Sequence, residues 1–180
     1  MNPIYKKIPV LIHEEQPVVE SLIILQYIDE AWPSPSSNKN LLPLKPYDRA
    51  TARFWADFID KKFYDAGSRI VRGKGESQKE AANDMLKVLE VFESRLRENG
   101  KPYFGGEEFG FVDVAFIPFT SWFHTYQNVG EFEMGLEENF PCMDKWVKRC
   151  MERESVKKVL PPPPKVLDYI LHLRKQLGID

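Results

Sequence analysis

Two short stretches near the start of the chain carry groups that could hold a small polar ligand. The first is Glu20-Ser21, which opens a strongly apolar segment. If that segment is a helix, Ser21 can cap it, and the unpaired N–H groups of its first turn point beyond the end and favour a carboxylate. Glu20 can pair with an ammonium. Together the two suit the α-amino-acid end of a ligand, and plain helix capping is the alternative. The second stretch is Ile8-Pro9, ahead of Val10-Leu11-Ile12. Proline is tolerated at the first residue of a strand, although it removes a ladder donor. A cis bond there would turn the Ile8 backbone outward and offer its N–H and C=O to an extended ligand, whereas a trans bond would make it an ordinary strand start.

A third constellation, Gly110-Phe111-Val112-Asp113, has the form of a helix start. Gly110 suits the cap, and Asp113 at the third helical position can reach back to a free N–H, which makes it structural and not catalytic. His13, His124 and His172 are scattered and make no metal-binding spacing with the cysteines. Cys142 and Cys150 lie eight residues apart, about 12 Å along a helix, which is too far for a disulfide. The glycines at 73, 75, 105 and 106 read as turns between helices, not as a phosphate-binding loop.

These groups need elements to position them. Residues 7–12 read as a buried strand, 17–19 as a short second strand, and 20–31 as a helix apolar around most of its circumference. Residues 33–40 are rich in proline and serine and form the clearest linker. Beyond it everything reads as helix. Asp48 can cap a long segment with rows Ala50/Phe54/Phe58 and Trp55/Ile59/Phe63. Ala82, Met85, Leu89, Phe92 and Leu96 form an amphipathic stripe over 77–97. Residues 112–126 are apolar nearly all round, the mark of a central helix, with Pro118 set to kink or open it. Shorter helices are expected over 141–151 and 155–160. A last one should run over 165–177, after the prolines at 161–164.

Composition sets bounds on function. Of 180 residues, 43% are hydrophobic and 29% charged, as in ordinary folded proteins. The 25 basic and 27 acidic side chains leave a net charge of −2, which favours neither nucleic acid nor another polyanion. No apolar run is long enough for a membrane span, and the first residues have no signal-peptide core. A β-β-α piece exposes too much apolar surface to be a domain by itself, so a preceding segment is expected.

The motifs taken in order resemble the plant tau class of glutathione transferases. Asn2-Pro3, Lys6-Lys7-Ile8-Pro9-Val10-Leu11 and Glu20-Ser21-Leu22-Ile23-Ile24 are similar to the second half of that family's thioredoxin-like domain. Arg53-Phe54-Trp55-Ala56-Asp57, Tyr103-Phe104-Gly105-Gly106 through Asp113, and the ending Leu173-Arg174-Lys175 with Leu177-Gly178-Ile179 resemble its helical domain. The resemblance covers essentially the whole chain. It implies an α+β fold: an incomplete thioredoxin-like domain (a β-β-α remnant, 1–32), a linker (33–43) and an all-α helical bundle (44–180).

By the same resemblance, Lys7 would bind the glycyl carboxylate of glutathione. Ile8, before a cis Pro9, would pair with its cysteinyl backbone, and Glu20 and Ser21 would hold its γ-glutamyl end. Tyr64, Ser68, Val71, Phe119, Trp122, Tyr169 and Leu173 would line the electrophile pocket. The implied protein is a cytoplasmic homodimer that conjugates glutathione to hydrophobic electrophiles in detoxification and stress. Glutathione is its co-substrate, and it has no other cofactor, metal, nucleic-acid or membrane partner. Family members start with a strand, a helix and a second strand, and a serine ending the first strand activates the thiol. This chain starts after that point, and no serine precedes Ser21. No catalytic residue is therefore assigned, and turnover by residues 1–180 alone is expected to be impaired. The alternative is a protein that binds apolar ligands without turning them over.

Overall fold

The structure, a computed structural model, describes residues 2–33 and 40–179; most of the proline- and serine-rich linker lies outside them. Strand β1 (Val10–His13) pairs antiparallel with β2 (Gln16–Val19), from Val10 opposite Val19 to His13 opposite Gln16. Glu14 and Glu15, at φ 48° and 64°, make the two-residue turn whose twist matches the flanking strands. The strand expected from residue 7 starts only at Val10. Pro9 has no N–H to give to the ladder, and Glu20, next along the partner strand, has left the extended region at φ 71°.

Helix α1 (Ser21–Ala31) follows directly. Glu20 occupies the cap position and no side chain caps the helix, so Ser21 is its first residue and not its cap. Only Ile24 of α1 is buried; Leu22 and Leu25 pack against the helical core. Polar bonds fix its other end. The Asp29 carboxylate accepts from the N–H groups of Leu41 (2.7 Å) and Leu42 (3.1 Å). The Arg53 Nε–H donates to Gln26 Oε1 at 2.7 Å. The hairpin and α1 thus ride on the helical part as one piece.

Helix α2 (Pro46–Phe58) opens with proline at its first turn, where the missing N–H costs nothing. Lys45 holds the cap position, and Asp48 lies inside the first turn instead of capping it. Of the two expected apolar rows, the one reaching Ile59 and Phe63 is buried together with Ala52 and Ala56, while the other touches the core only through half-buried Phe58 and leaves Ala50 and Phe54 exposed. The chain runs on through one π-helical stretch (Ile59–Tyr64) into α3 (Asp65–Arg72). Helix α4 (Gly75–Asn99) buries the whole expected stripe and ends at Gly100, left-handed at φ 61°.

The expected central helix is present in three pieces: α5 (Phe111–Phe116), a 3-10 stretch (Ile117–Trp122) and α6 (Phe123–Gly130). Pro118 sits in the first turn of the 3-10 stretch, where the α ladder opens. Short α7 (Leu136–Asn139), then α8 (Pro141–Met151) and short α9 (Glu154–Lys157) follow. Helix α10 (Pro163–Gln176) takes two prolines into its own first turn, so it starts earlier than residue 165. Phe63, Phe92, Phe104, Phe116 and Trp146 form the centre of the core, with Phe92 and Phe116 at 4.4 Å between ring centroids. The fold is α+β: a two-stranded sheet and one helix, followed by helices alone among the described residues.

Two buried carboxylates hold the bundle in register. Asp113 Oδ2 accepts from the Gly110 N–H at 2.9 Å, as the sequence pattern implies. Its Oδ1 also accepts from the Phe104 N–H (3.1 Å) and from the Trp146 indole N–H (2.7 Å), joining α5 to the loop after α4 and to α8. Glu93, on α4, accepts from the backbone N–H groups of Cys142 and Met143 at 2.9 Å each. It does for the N-terminus of α8 what a local cap would do. Cys142 and Cys150 are both free thiols on α8.

Candidate functional site

The hairpin register brings the two polar stretches together. Because Val10 faces Val19, Pro9 and Glu20 come next to one another at the same end of the ladder. Lys7, Ile8 and Pro9 on one side and Glu20 and Ser21 on the other are all exposed, Ile8 at 91%. The Ile8–Pro9 bond is cis. The first intrahelical bond of α1 runs from the Ile24 N–H to the Glu20 carbonyl at 2.8 Å. The N–H groups of Ser21, Leu22 and Ile23 consequently have no helical acceptor, which leaves a small anion-favouring terminus beside the cis proline.

A separate cavity of about 280 Å³ lies in the helical part. Tyr64, Ser68 and Val71 line it at i, i+4 and i+7, one face running from the π-helical stretch through α3. Phe119 and Trp122 come from the 3-10 stretch, where residues three apart eclipse one another and so point the same way. Tyr169 and Leu173 sit one turn apart on α10. All seven residues expected around a pocket therefore surround a single cavity. Gly67, Arg72, Pro118, Tyr126 and Ile170 complete its wall, and the sequence reading missed them. Continuing the Trp122 face by one turn reaches Tyr126, whose ring stacks on Trp122 at 6.1 Å. Gly67 gives only a weak sequence signal, an interior helical glycine where alanine would be about 1 kcal/mol better.

The far wall is locked by α10. The buried Arg174 guanidinium donates to the carbonyls of Val71 (2.7 Å) and Gly73 (3.2 Å), satisfying the C-terminus of α3. This holds Tyr169 and Leu173 opposite Ser68 and Val71. A larger cleft of about 390 Å³, between residues 40–45 and 105–112, is lined by none of the twelve residues expected to contact a ligand. Among the described residues, no group of three histidine, cysteine or acidic side chains is arranged to hold a metal. Also among them, no helix is long and apolar enough to cross a membrane.

Comparison with known proteins decides the family. The glutathione S-transferase C-terminal domain matches residues 39–154, and the glutathione S-transferase N-terminal domain matches residues 1–30. Tobacco (Nicotiana tabacum) parC, a probable glutathione S-transferase, is 51% identical over 180 residues, all of this chain and 79% of its own length. Glutathione S-transferase U19 of Arabidopsis thaliana is also 51% identical, over 98% of this chain and 77% of its own. The tau-class transferase structure from mango (Mangifera indica) superposes with a TM-score of 0.86 at 39% identity, covering 96% of this chain and 78% of that one. This chain belongs to the tau class of glutathione S-transferases. The structure of rice GST1 (OsGSTU1), solved in complex with glutathione, matches equally well, with a TM-score of 0.86 at 46% identity over 97% of this chain and 78% of that one.

Proposed function

We propose that this tau-class chain conjugates glutathione to apolar aromatic electrophiles, as a cytoplasmic homodimer with glutathione as its co-substrate. Lys7 meets the glycyl carboxylate, the Ile8 backbone pairs with the cysteinyl unit, and Glu20 and Ser21 hold the γ-glutamyl end. The apolar electrophile lies in the cavity between α3, the 3-10 stretch and α10. One observation carries this reading: seven residues spread over 110 positions of sequence surround one cavity of electrophile size.

The chemistry needs a thiolate. A thiol of ordinary pKa is only about 3% ionised at pH 7, and a hydroxyl donating to the sulfur can raise that fraction about tenfold. Holding thiolate and electrophile side by side supplies the rest of the acceleration. In the family order the hydroxyl comes from a serine ahead of Ser21, and residues 1–20 contain none. Residues 1–180 alone therefore bind and orient, and turn over a halonitrobenzene negligibly. Joining a relative's first strand, helix and second strand ahead of Met1 restores turnover. Family-level turnover by residues 1–180 alone would overturn the assignment of the thiol-activating group. A second reading, storage of apolar ligands without conjugation, draws on the same cavity. It would be favoured if the joined protein bound such ligands and still failed to turn over the chromogenic substrate.

A further inference from the structure

Tyr126 stands apart from the other walls of the cavity. It is only 2% exposed, and its ring is fixed between Trp122 and Phe63, at 6.1 and 6.2 Å between centroids. Buried hydroxyls in proteins are nearly always hydrogen-bonded. Among the described residues nothing accepts from or donates to the Tyr126 hydroxyl, yet it is not one of the side-chain atoms sealed away without a partner, which are Arg95 Nε and Thr125 Oγ1. The hydroxyl is thus not sealed inside the protein, and Tyr126 is one of the residues that line the cavity.

Its position is set by Gly67. A Cβ built on Gly67 would fall 2.6 Å from both Cζ and the hydroxyl oxygen of Tyr126, so only glycine lets the phenol tip lie against α3 at that depth. An interior helical glycine costs stability, and this one gives the fold a phenol placed at the cavity wall. Burial, helped by nearby Tyr64, pushes the phenol well above its ordinary pKa, so it keeps its proton. A protonated phenol with no protein acceptor is a hydrogen-bond donor waiting for a ligand.

We propose that Tyr126 donates a hydrogen bond to the molecule in this cavity, so that the site selects aromatic electrophiles carrying an acceptor oxygen, such as a nitro or carbonyl group. The inference rests on the reading of the cavity as the electrophile site and adds the substrate's chemistry to it. Tyr64, Ser68, Arg72 and Tyr169 also bring polar side chains to the wall, but Tyr126 is the buried one whose phenol is fixed in place by Gly67. The Tyr126 donor ranks aromatics by whether an acceptor reaches it. Leaving the hydroxyl unpaired against an acceptor-free ligand penalises that ligand further.

The test is calorimetric titration of residues 1–180 with nitrobenzene and with isopropylbenzene, which has nearly the same shape and no acceptor. Tyr126→Phe should weaken nitrobenzene roughly two- to tenfold, the ratio for one neutral hydrogen bond, and leave isopropylbenzene unchanged or tighter. Gly67→Ala, which displaces the phenol from the other side, should show the same selective loss while keeping the hydroxyl. Equal effects of Tyr126→Phe on both compounds, or none, would overturn the Tyr126 proposal and leave the cavity assignment standing. Failure of the wild type to bind either compound would remove the cavity assignment, and this proposal with it.

Discussion

Replacing Asp113 by alanine should destabilise the bundle without touching the ligand cavity. The carboxylate is fully buried, and its two oxygens serve three donors unequally. Oδ1 takes the Phe104 N–H and the Trp146 indole N–H, and Oδ2 takes the Gly110 N–H. Alanine strands the first two in the core, each at about 1–3 kcal/mol, so the loss should total about 2–6 kcal/mol. Asparagine can place its amide oxygen at the Oδ1 position and keep both buried donors satisfied. Only the part-buried Gly110 N–H then faces a second donor, and the loss should be about 1–2 kcal/mol. For a chain of this length the alanine variant should melt roughly 10 °C below wild type, and the asparagine variant within about 5 °C. Urea titrations followed by circular dichroism give the two values directly. Equal stabilities for the two variants would refute the reasoning, since it depends on which oxygen meets which donor. Binding of nitrobenzene below the transition should be the same in all three proteins.

Further outcomes follow from other parts of the structure. Burial works against ionisation of Glu93, yet the bonds from Met143, Cys142 and Arg97 hold its carboxyl below the ordinary value. Its stabilisation is present above about pH 4.5 and is lost as pH falls through the folded value, so the wild type's margin over Glu93→Gln should shrink between about pH 5 and pH 3; a constant margin in urea titrations would contradict this. Ile12, Ile23 and Trp32 are each more than half exposed, so residues 1–180 should bind a hydrophobic dye, and Ile12→Lys with Ile23→Lys should abolish most of that signal. Ser21 is not a cap, so Ser21→Ala should change stability by less than about 0.5 kcal/mol. In the protein completed with a relative's first strand, helix and strand, it should nevertheless weaken glutathione roughly ten- to a hundredfold, as paired melts and calorimetry would show.

Periodicity carried most of the helical half. The stripe on α4 is all buried because a three-and-four spacing admits only one face to a core. Pro118 marked the break in the central helix because its ring cannot join the ladder, and the Gly110–Asp113 spacing located the start of α5. Local chemistry failed where neighbours decide. Asp48 and Ser21 look like caps, but Pro46 starts α2 earlier, and Glu20 takes the cap of α1 because its left-handed backbone makes the corner from β2. The Phe54 row is as apolar as the Ile59 row, and only packing decides which one faces inward. At the cavity, sequence alone supplied no link between residues 64–71, 119–122 and 169–173; the family resemblance did. It passed over Gly67 and Tyr126 because their significance lies in a contact across two helices.

In the proposed arrangement one conjugate is held at two places, its peptide at the cis-proline edge and its apolar group in the helical cavity. Titrating glutathione and S-benzylglutathione into the completed protein and its Val71→Trp variant tests this directly. Val71 lies on the cavity wall, and tryptophan there should fill the space without reaching Lys7, Glu20 or Ser21. Glutathione should bind the variant with unchanged affinity, and the affinity for S-benzylglutathione should fall to that of glutathione itself. Retention of the full benzyl advantage in the Val71→Trp variant, with its fold intact by melting, would contradict it.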